Sequence, residues 1–149
     1  MNVAIACDHG GLVLKQCLKD VLEKRKYTVL DLGTHTTDSV DYPDYANKLA
    51  KVVVSKEADF GIVICGTGIG ISIACNKIKG IRCALIHNKE TAALCKEHNN
   101  ANVISMGGRV LSEEQAVECL EAYLDAQFQG GRHQNRLDKI SSIENENFK

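Results

Sequence analysis

A cysteine that ends an apolar run and is followed by a glycine at every second position is the first feature of this chain that could do chemistry: Ile64-Cys65-Gly66-Thr67-Gly68-Ile69-Gly70. Glycines let backbone N–H groups approach a ligand closely. The residues that follow, with Ile73, Ala74 and Ile78, predict a helix opening at this loop. Amides and the positive end of a helix suit an anion or an oxyanion. They also favour a thiolate, drawing a free thiol of pKa about 8.5 toward neutrality. The implied chemistry is that of a base. The glycines could equally serve to pack a strand against a helix. Three other uses of such a loop fail on spacing. No Lys follows as a Walker loop needs, Ile71 and Ser72 break G-x-G-x-x-G, and Ile71 stands where a cysteine phosphatase requires arginine.

Three further groups could join it. Asp8-His9 follows another apolar run, where a carboxylate could accept hydrogen bonds from ligand hydroxyls or could cap a helix. His98-Asn99 ends a predicted helix, as an acid-base group or as a solvated partner of the helix dipole. Arg132 and Arg136 are four apart, on one helix face, and together could clamp a phosphate or simply line a solvated tail. His35 and His87 have no metal-site spacing, and the seven cysteines show neither C-x-x-C nor a disulfide framework, so most read as reduced, buried fillers.

The elements that must position these groups alternate. Apolar runs at 3–7, 27–32, 60–65, 82–86 and 103–106 read as strands. Helical periodicity follows at 12–26, from Pro43 through Val53, after Gly70, at 89–98 and from Ser112 to about Gln127. Ser112 and Gln115 have the spacing of a capping box, and Gly130-Gly131 turns the chain into a polar tail expected to be helical. Such alternation predicts an α/β fold: a Rossmann-like three-layer α/β/α sandwich with a five-stranded parallel sheet and a C-terminal helical tail. Ligands bind such sheets beyond the carboxyl ends of the strands, where Asp8 and Cys65 both fall.

Length and charge narrow the class. The 149 residues suit a single domain, 1–149, able to bury roughly two-thirds of its unfolded surface. A net charge of -1 gives no field for nucleic acid or an anionic membrane, and no leader or long apolar span is present, so a soluble cytoplasmic protein is expected.

In combination these residues resemble the type B ribose-5-phosphate isomerase family, which includes allose- and galactose-6-phosphate isomerases. The matching segments are ACDHGG at 6–11, DLGTHTTDSVDYPDYA at 31–46, GIVICGTGIGISIACNK at 61–77, GIR at 80–82, EHNNANV at 97–103, GGRV at 107–110 and QGGRHQNRLDKI at 129–140. The resemblance implies an aldose–ketose isomerase of ribose 5-phosphate and ribulose 5-phosphate, without metal or other cofactor. It implies Cys65 as the base between C1 and C2, Thr67 assisting at the oxygens, and His98 as the ring-opening acid aided by Asp8. The backbone of Gly66, Gly68, Ile69 and Gly70 would stabilise the enediolate. Asn99, His9, Arg109, Arg132 and Arg136 would contact sugar or phosphate. One branch of the family replaces the cysteine by a glutamate elsewhere, and Cys65 assigns this chain to the thiol branch. Cys75 stands where alanine is usual, a change expected to affect packing alone.

The order of elements adds a consequence. A helix ending at His98 returns the chain to the amino edge of the sheet, opposite Cys65 and Asp8, so the two halves are expected to meet across a symmetric homodimer, with higher assembly left open. The tail 130–149 would contribute to that dimer and to the phosphate site. A six-carbon aldose 6-phosphate is the alternative substrate, and a non-catalytic phosphosugar sensor the alternative class.

Overall fold

The computed structural model describes residues 1–148. Five parallel strands, β1 (Asn2–Cys7), β2 (Thr28–Asp31), β3 (Phe60–Cys65), β4 (Cys83–Leu85) and β5 (Val103–Gly107), form one sheet in the order β2-β1-β3-β5-β4. The helices are α1 (Leu12–Lys24), α2 (Tyr42–Val54), α3 (Ile69–Cys75), α4 (Lys89–Glu97), α5 (Glu113–Asp125) and α6 (Arg132–Asn147). The α/β expectation holds, with strand ends within a residue or two of those read from the sequence.

Alternating side chains divide the core in two. Val3, Ile5, Cys7, Ile62, Ile64, Ile104 and Met106 point to the layer of α1, α4 and α5. Ala4, Ala6, Val63, Cys65 and Val103 point to α2 and α3. All six residues of β3 are buried, as an apolar strand covered on both faces should be. From β1 the chain steps outward to β2, and from β3 it steps outward the other way to β4. The direction of winding therefore reverses between β1 and β3, which opens a crevice at their carboxyl ends.

Local signals account for the helix ends. Pro43 lies in the first turn of α2. Ser112 and Gln115 form the expected capping box, with the Gln115 N–H donating to Ser112 Oγ at 3.1 Å and the Ser112 N–H to Gln115 Oε1 at 2.9 Å. Helix α3 stops at Cys75, short of Ile78, because the Asn76 carboxamide pairs with the backbone of Cys83. It accepts the Cys83 N–H at 2.8 Å and donates to the Cys83 carbonyl at 2.9 Å. Among the described residues no helix is long and apolar enough to cross a membrane.

Candidate active site

Three loops converge at the carboxyl ends of β1, β3 and β5, and their backbones touch. A Cβ on Gly10 would lie 3.0 Å from the Gly66 nitrogen, and one on Gly108 only 2.1 Å from the Gly10 carbonyl oxygen. At Gly108 the Gly10 carbonyl leaves no room for a side chain, and this close approach of two backbones accounts for that glycine better than flexibility does. The Gly108 N–H donates to the Cys65 carbonyl at 2.8 Å and the Arg109 N–H to the Gly66 carbonyl at 2.9 Å, registering the third loop on the second.

Within this junction Cys65 has two faces. It is only 5% exposed and packs among the α2–α3 core, yet it is the last residue of β3, and its Sγ accepts the Gly68 N–H at 3.2 Å. Gly68 adopts φ +79, the left-handed conformation that turns its amide back toward the sulfur. Its carbonyl is held by the buried Ser105 hydroxyl, which donates at 2.7 Å. Thr67 Oγ1 accepts the Ile69 N–H at 3.2 Å, and Gly70 lies under the Tyr42 ring, where a Cβ would come within 2.5 Å of Tyr42 Cζ. The Arg109 guanidinium lies over Gly66, 2.9 Å from where a Cβ would stand.

Asp8 is 7% exposed and its Oδ1 accepts the Gly10 N–H at 2.8 Å. It does not cap α1, whose N-cap is Gly11. His9 Nδ1 accepts the Val40 N–H at 3.2 Å, leaving Nε2 as the donor of the neutral ring. The first cluster thus brings together Asp8, His9, Cys65, Gly66, Thr67, Gly68, Ile69, Gly70 and Arg109.

The remaining candidates gather elsewhere. His98 is the C-cap of α4 and stacks on His133, while Asn99 follows it at the surface. Arg132 and Arg136 open α6 on either side of His133, and the Gln129 N–H donates to the Glu97 carbonyl at 2.9 Å, fastening the tail to this turn. Burial, with His98, Arg132 and Arg136 nearby, pulls the His133 proton affinity below that of a free imidazole. This cluster sits where the chain enters β5 at Val103. Cys65 pairs with Gly107 at the far end of that strand, four residues on and roughly 13 Å away along it. Within one chain, then, His98 and Cys65 belong to opposite edges of the sheet.

Sequence reasoning missed Ser105, Tyr42 and His133. Ser105 was visible as the one polar residue in an apolar run; the others reach the site only through tertiary packing. The other cysteines behave as fillers, unbridged. Burial raises Cys7 and Cys95 to about 11, and it also raises Cys17 and Cys119. No group of three His, Cys, Asp or Glu side chains among the described residues could hold a metal ion. An apolar cavity of about 610 Å³ lies between β4 and α6, lined by Ile81, Cys83, Ala84, Ile140 and Ile143. Asn99 and Arg82 also line it, but Cys65, Asp8 and Arg109 do not, so this cavity lies away from the Cys65 junction.

Comparison with known proteins gives a consistent picture. The Ribose/Galactose Isomerase family model matches residues 3–140. A ribose-5-phosphate isomerase B of Escherichia coli (strain K12) is 44% identical over 143 residues, covering 96% of each chain. The structure of a ribose-5-phosphate isomerase B of Clostridium thermocellum superposes with a TM-score of 0.97 at 50% identity, covering 98% of this chain and 99% of that one. A Mycoplasma genitalium ribose-5-phosphate isomerase B with bound ribulose-5-phosphate superposes at 0.93 with 43% identity, covering 97% of each.

Proposed function

This chain belongs to the ribose/galactose isomerase family, and from that premise we propose that it interconverts D-ribose 5-phosphate and D-ribulose 5-phosphate through a cis-enediolate. The observation that carries the reading is the Gly68 amide aimed at Cys65 Sγ, at the crevice where the sheet reverses its winding. A hydrogen next to a carbonyl becomes labile when preorganised donors hold the developing oxyanion, and one base on one face can lift it from C2 and return it to C1. Cys65 Sγ is that base. The amides of Gly66 to Gly70 and the Thr67 hydroxyl hold the enediolate oxygens. His98 is the acid that opens the furanose, aided by Asp8. Asn99 binds the sugar, and His9, Arg109, Arg132 and Arg136 bind phosphate or sugar.

Because Cys65 and His98 lie at opposite edges of one sheet, the working unit is a homodimer in which each site takes Cys65 from one subunit and His98 from the other. Two features support this. Helix α6 buries only His133 and Leu137 against its own chain and leaves Ile140 and Ile143 exposed, and α3 exposes Ile69 and Ile73 beside the Cys65 loop. Residues 1–149 act as one domain, with 130–149 serving the dimer and the phosphate.

The test is a turnover panel of ribose 5-phosphate, allose 6-phosphate and galactose 6-phosphate in deuterated water, with Cys65→Ala alongside. Pentose turnover with solvent deuterium at C1 is expected, and a fall of about 10²-fold or more in the variant. Preference for a six-carbon substrate would transfer the reading to that sugar. Binding without exchange would leave a sensor.

A further inference from the structure

The turn that carries His98 and Asn99 is clamped by a residue whose hydrogen bonds go to the backbone of the turn and to neither of those side chains. Arg82, just before β4, is half-buried and spends its guanidinium on the backbone of this turn. Its Nε donates to the Asn99 carbonyl at 3.3 Å and to the Asn100 carbonyl at 3.1 Å, and its Nη2 donates to the Asn100 carbonyl at 2.9 Å. Asn100 has φ +43, so its carbonyl leaves the helix direction, and a charged fork is the side chain suited to holding two carbonyls at a helix end. The backbone of Arg82 is itself fixed: its N–H donates to Asn102 Oδ1 at 2.8 Å, and its carbonyl accepts the Asn102 N–H at 3.1 Å. Asn102 Nδ2 donates to the Gly80 carbonyl at 2.8 Å, and the buried Tyr123 hydroxyl donates to the Ala101 carbonyl at 2.6 Å. The segment 80–82 and the turn 98–102 thus form one hydrogen-bonded unit, in which the Arg82 side chain grips the two successive carbonyls of Asn99 and Asn100.

We infer that Arg82 is a positioning residue for ring opening, fixing through the Asn99 and Asn100 carbonyls where His98 and Asn99 meet the sugar. The inference rests on the isomerase reading above. It separates two parts of the reaction. Ribose 5-phosphate binds as a furanose and needs an acid at its ring oxygen. Ribulose 5-phosphate, its 5-hydroxyl esterified, cannot close that ring and is open when it meets the base. Displacing His98 therefore slows the aldose direction far more than the removal of the C1 hydrogen from ribulose 5-phosphate.

The experiment compares wild type, Arg82→Ala and Arg82→Lys in two assays: kcat for ribose 5-phosphate, and hydrogen–deuterium exchange at C1 of saturating ribulose 5-phosphate. For Arg82→Ala, kcat should fall about 10²-fold, the size expected for an ångström of misplacement, with exchange near the wild-type rate. Added guanidinium ion should restore part of the loss. Arg82→Lys, a cation that reaches one carbonyl at a time, should lie between and covers the case in which the alanine variant fails to fold. Equal loss in both assays would reduce Arg82 to a fold-holding residue and overturn the inference, as would an unchanged kcat. A wild type that converts no ribose 5-phosphate would instead overturn the isomerase reading on which it rests.

Discussion

The imidazoles of His98 and His133 lie face to face, their centroids 4.2 Å apart and their planes within 13°. His133 stands one turn of α6 before Leu137, the other residue of that helix buried against the body, so the stack belongs to the seam that seats the tail. Two stacked imidazoles resist carrying two charges, and the lowered proton affinity of His133 follows from burial first and then from His98 and the two arginines. Between its folded value and the ordinary value near 6.5, the unfolded chain binds more protons at this site than the folded one. Stability therefore rises with pH across that window, and the contribution is lost as pH falls through it. His133→Phe keeps a stacking face without the proton. Thermal melts at pH 7.5 and 5.5 should show a smaller acid loss in His133→Phe than in wild type, with kcat largely kept. His133→Ala, losing the face, should lower kcat by about tenfold or less.

If each site draws on two subunits, lesions in the two halves complement. Cys65→Ala and His98→Ala homodimers are each expected to be nearly inactive. Mixed and allowed to exchange subunits in equal amounts, half of the dimers carry both lesions on separate subunits and keep one of two sites whole. Activity should then return to about a quarter of wild type. Activity staying at the level of the parents in a verified mixed dimer would place both residues in one chain's site and require a rearrangement of the turn at His98.

The glycines of the junction differ in what a methyl group would strike. At Gly66 the obstacle is Arg109 Nη1, the far end of a flexible side chain, at 2.9 Å. At Gly108 it is the Gly10 carbonyl, main chain of the turn that follows β1, at 2.1 Å. Gly66→Ala should fold with near-wild-type stability and raise KM as the guanidinium moves aside. Gly108→Ala should destabilise by about 3 kcal/mol, in the range of severe overpacking. Denaturant melts paired with steady-state kinetics separate the two effects.

The sheet was legible because its strands are short apolar runs and its helices carry period and caps. Phe60 to Cys65 is buried throughout, and Ser112 and Gln115 cap α5 as their spacing requires. The division of the candidates between two sheet edges was legible too, since a helix ending at His98 can only return the chain to the strand starts. What the sequence hid depends on long-range pairing. Ile78 continues the apolar period of α3, but Asn76 takes the backbone of Cys83 and ends the helix. Arg82 and His133 look like ordinary surface residues until folding sets them on the turn of His98. Asp8 was readable as a cap or a site residue with equal ease, and only the position of Gly11 at the start of α1 decides against the cap.

One buried cation outside both clusters governs the edge of the Cys65 site. Lys15, 4% exposed, donates to Asp31 Oδ1 at 2.8 Å and to the Thr34 carbonyl at 2.6 Å, while Lys19 donates to Asp31 Oδ2 at 2.9 Å. Burial works to raise the Asp31 pKa, but the two lysines and the Gly33 N–H outweigh it and hold the carboxyl below its ordinary range. That stabilisation is present above the ordinary carboxylate value and is lost as pH falls through the folded one. The pair anchors the start of the loop whose Val40 N–H reaches His9. Lys15→Met removes the cation of nearly matching shape and leaves Thr34 and Asp31 short of a donor, at a cost of about 3 kcal/mol. Its Asp31-linked acid loss should be smaller than in wild type and complete at higher pH, because the folded carboxyl rises toward its ordinary value. KM should rise with His9 less firmly placed, while C1 exchange, which the proposed mechanism assigns to Cys65 and the Gly68 amide, should change little. An unaltered acid transition would show that Lys19 and the Gly33 N–H suffice to hold Asp31.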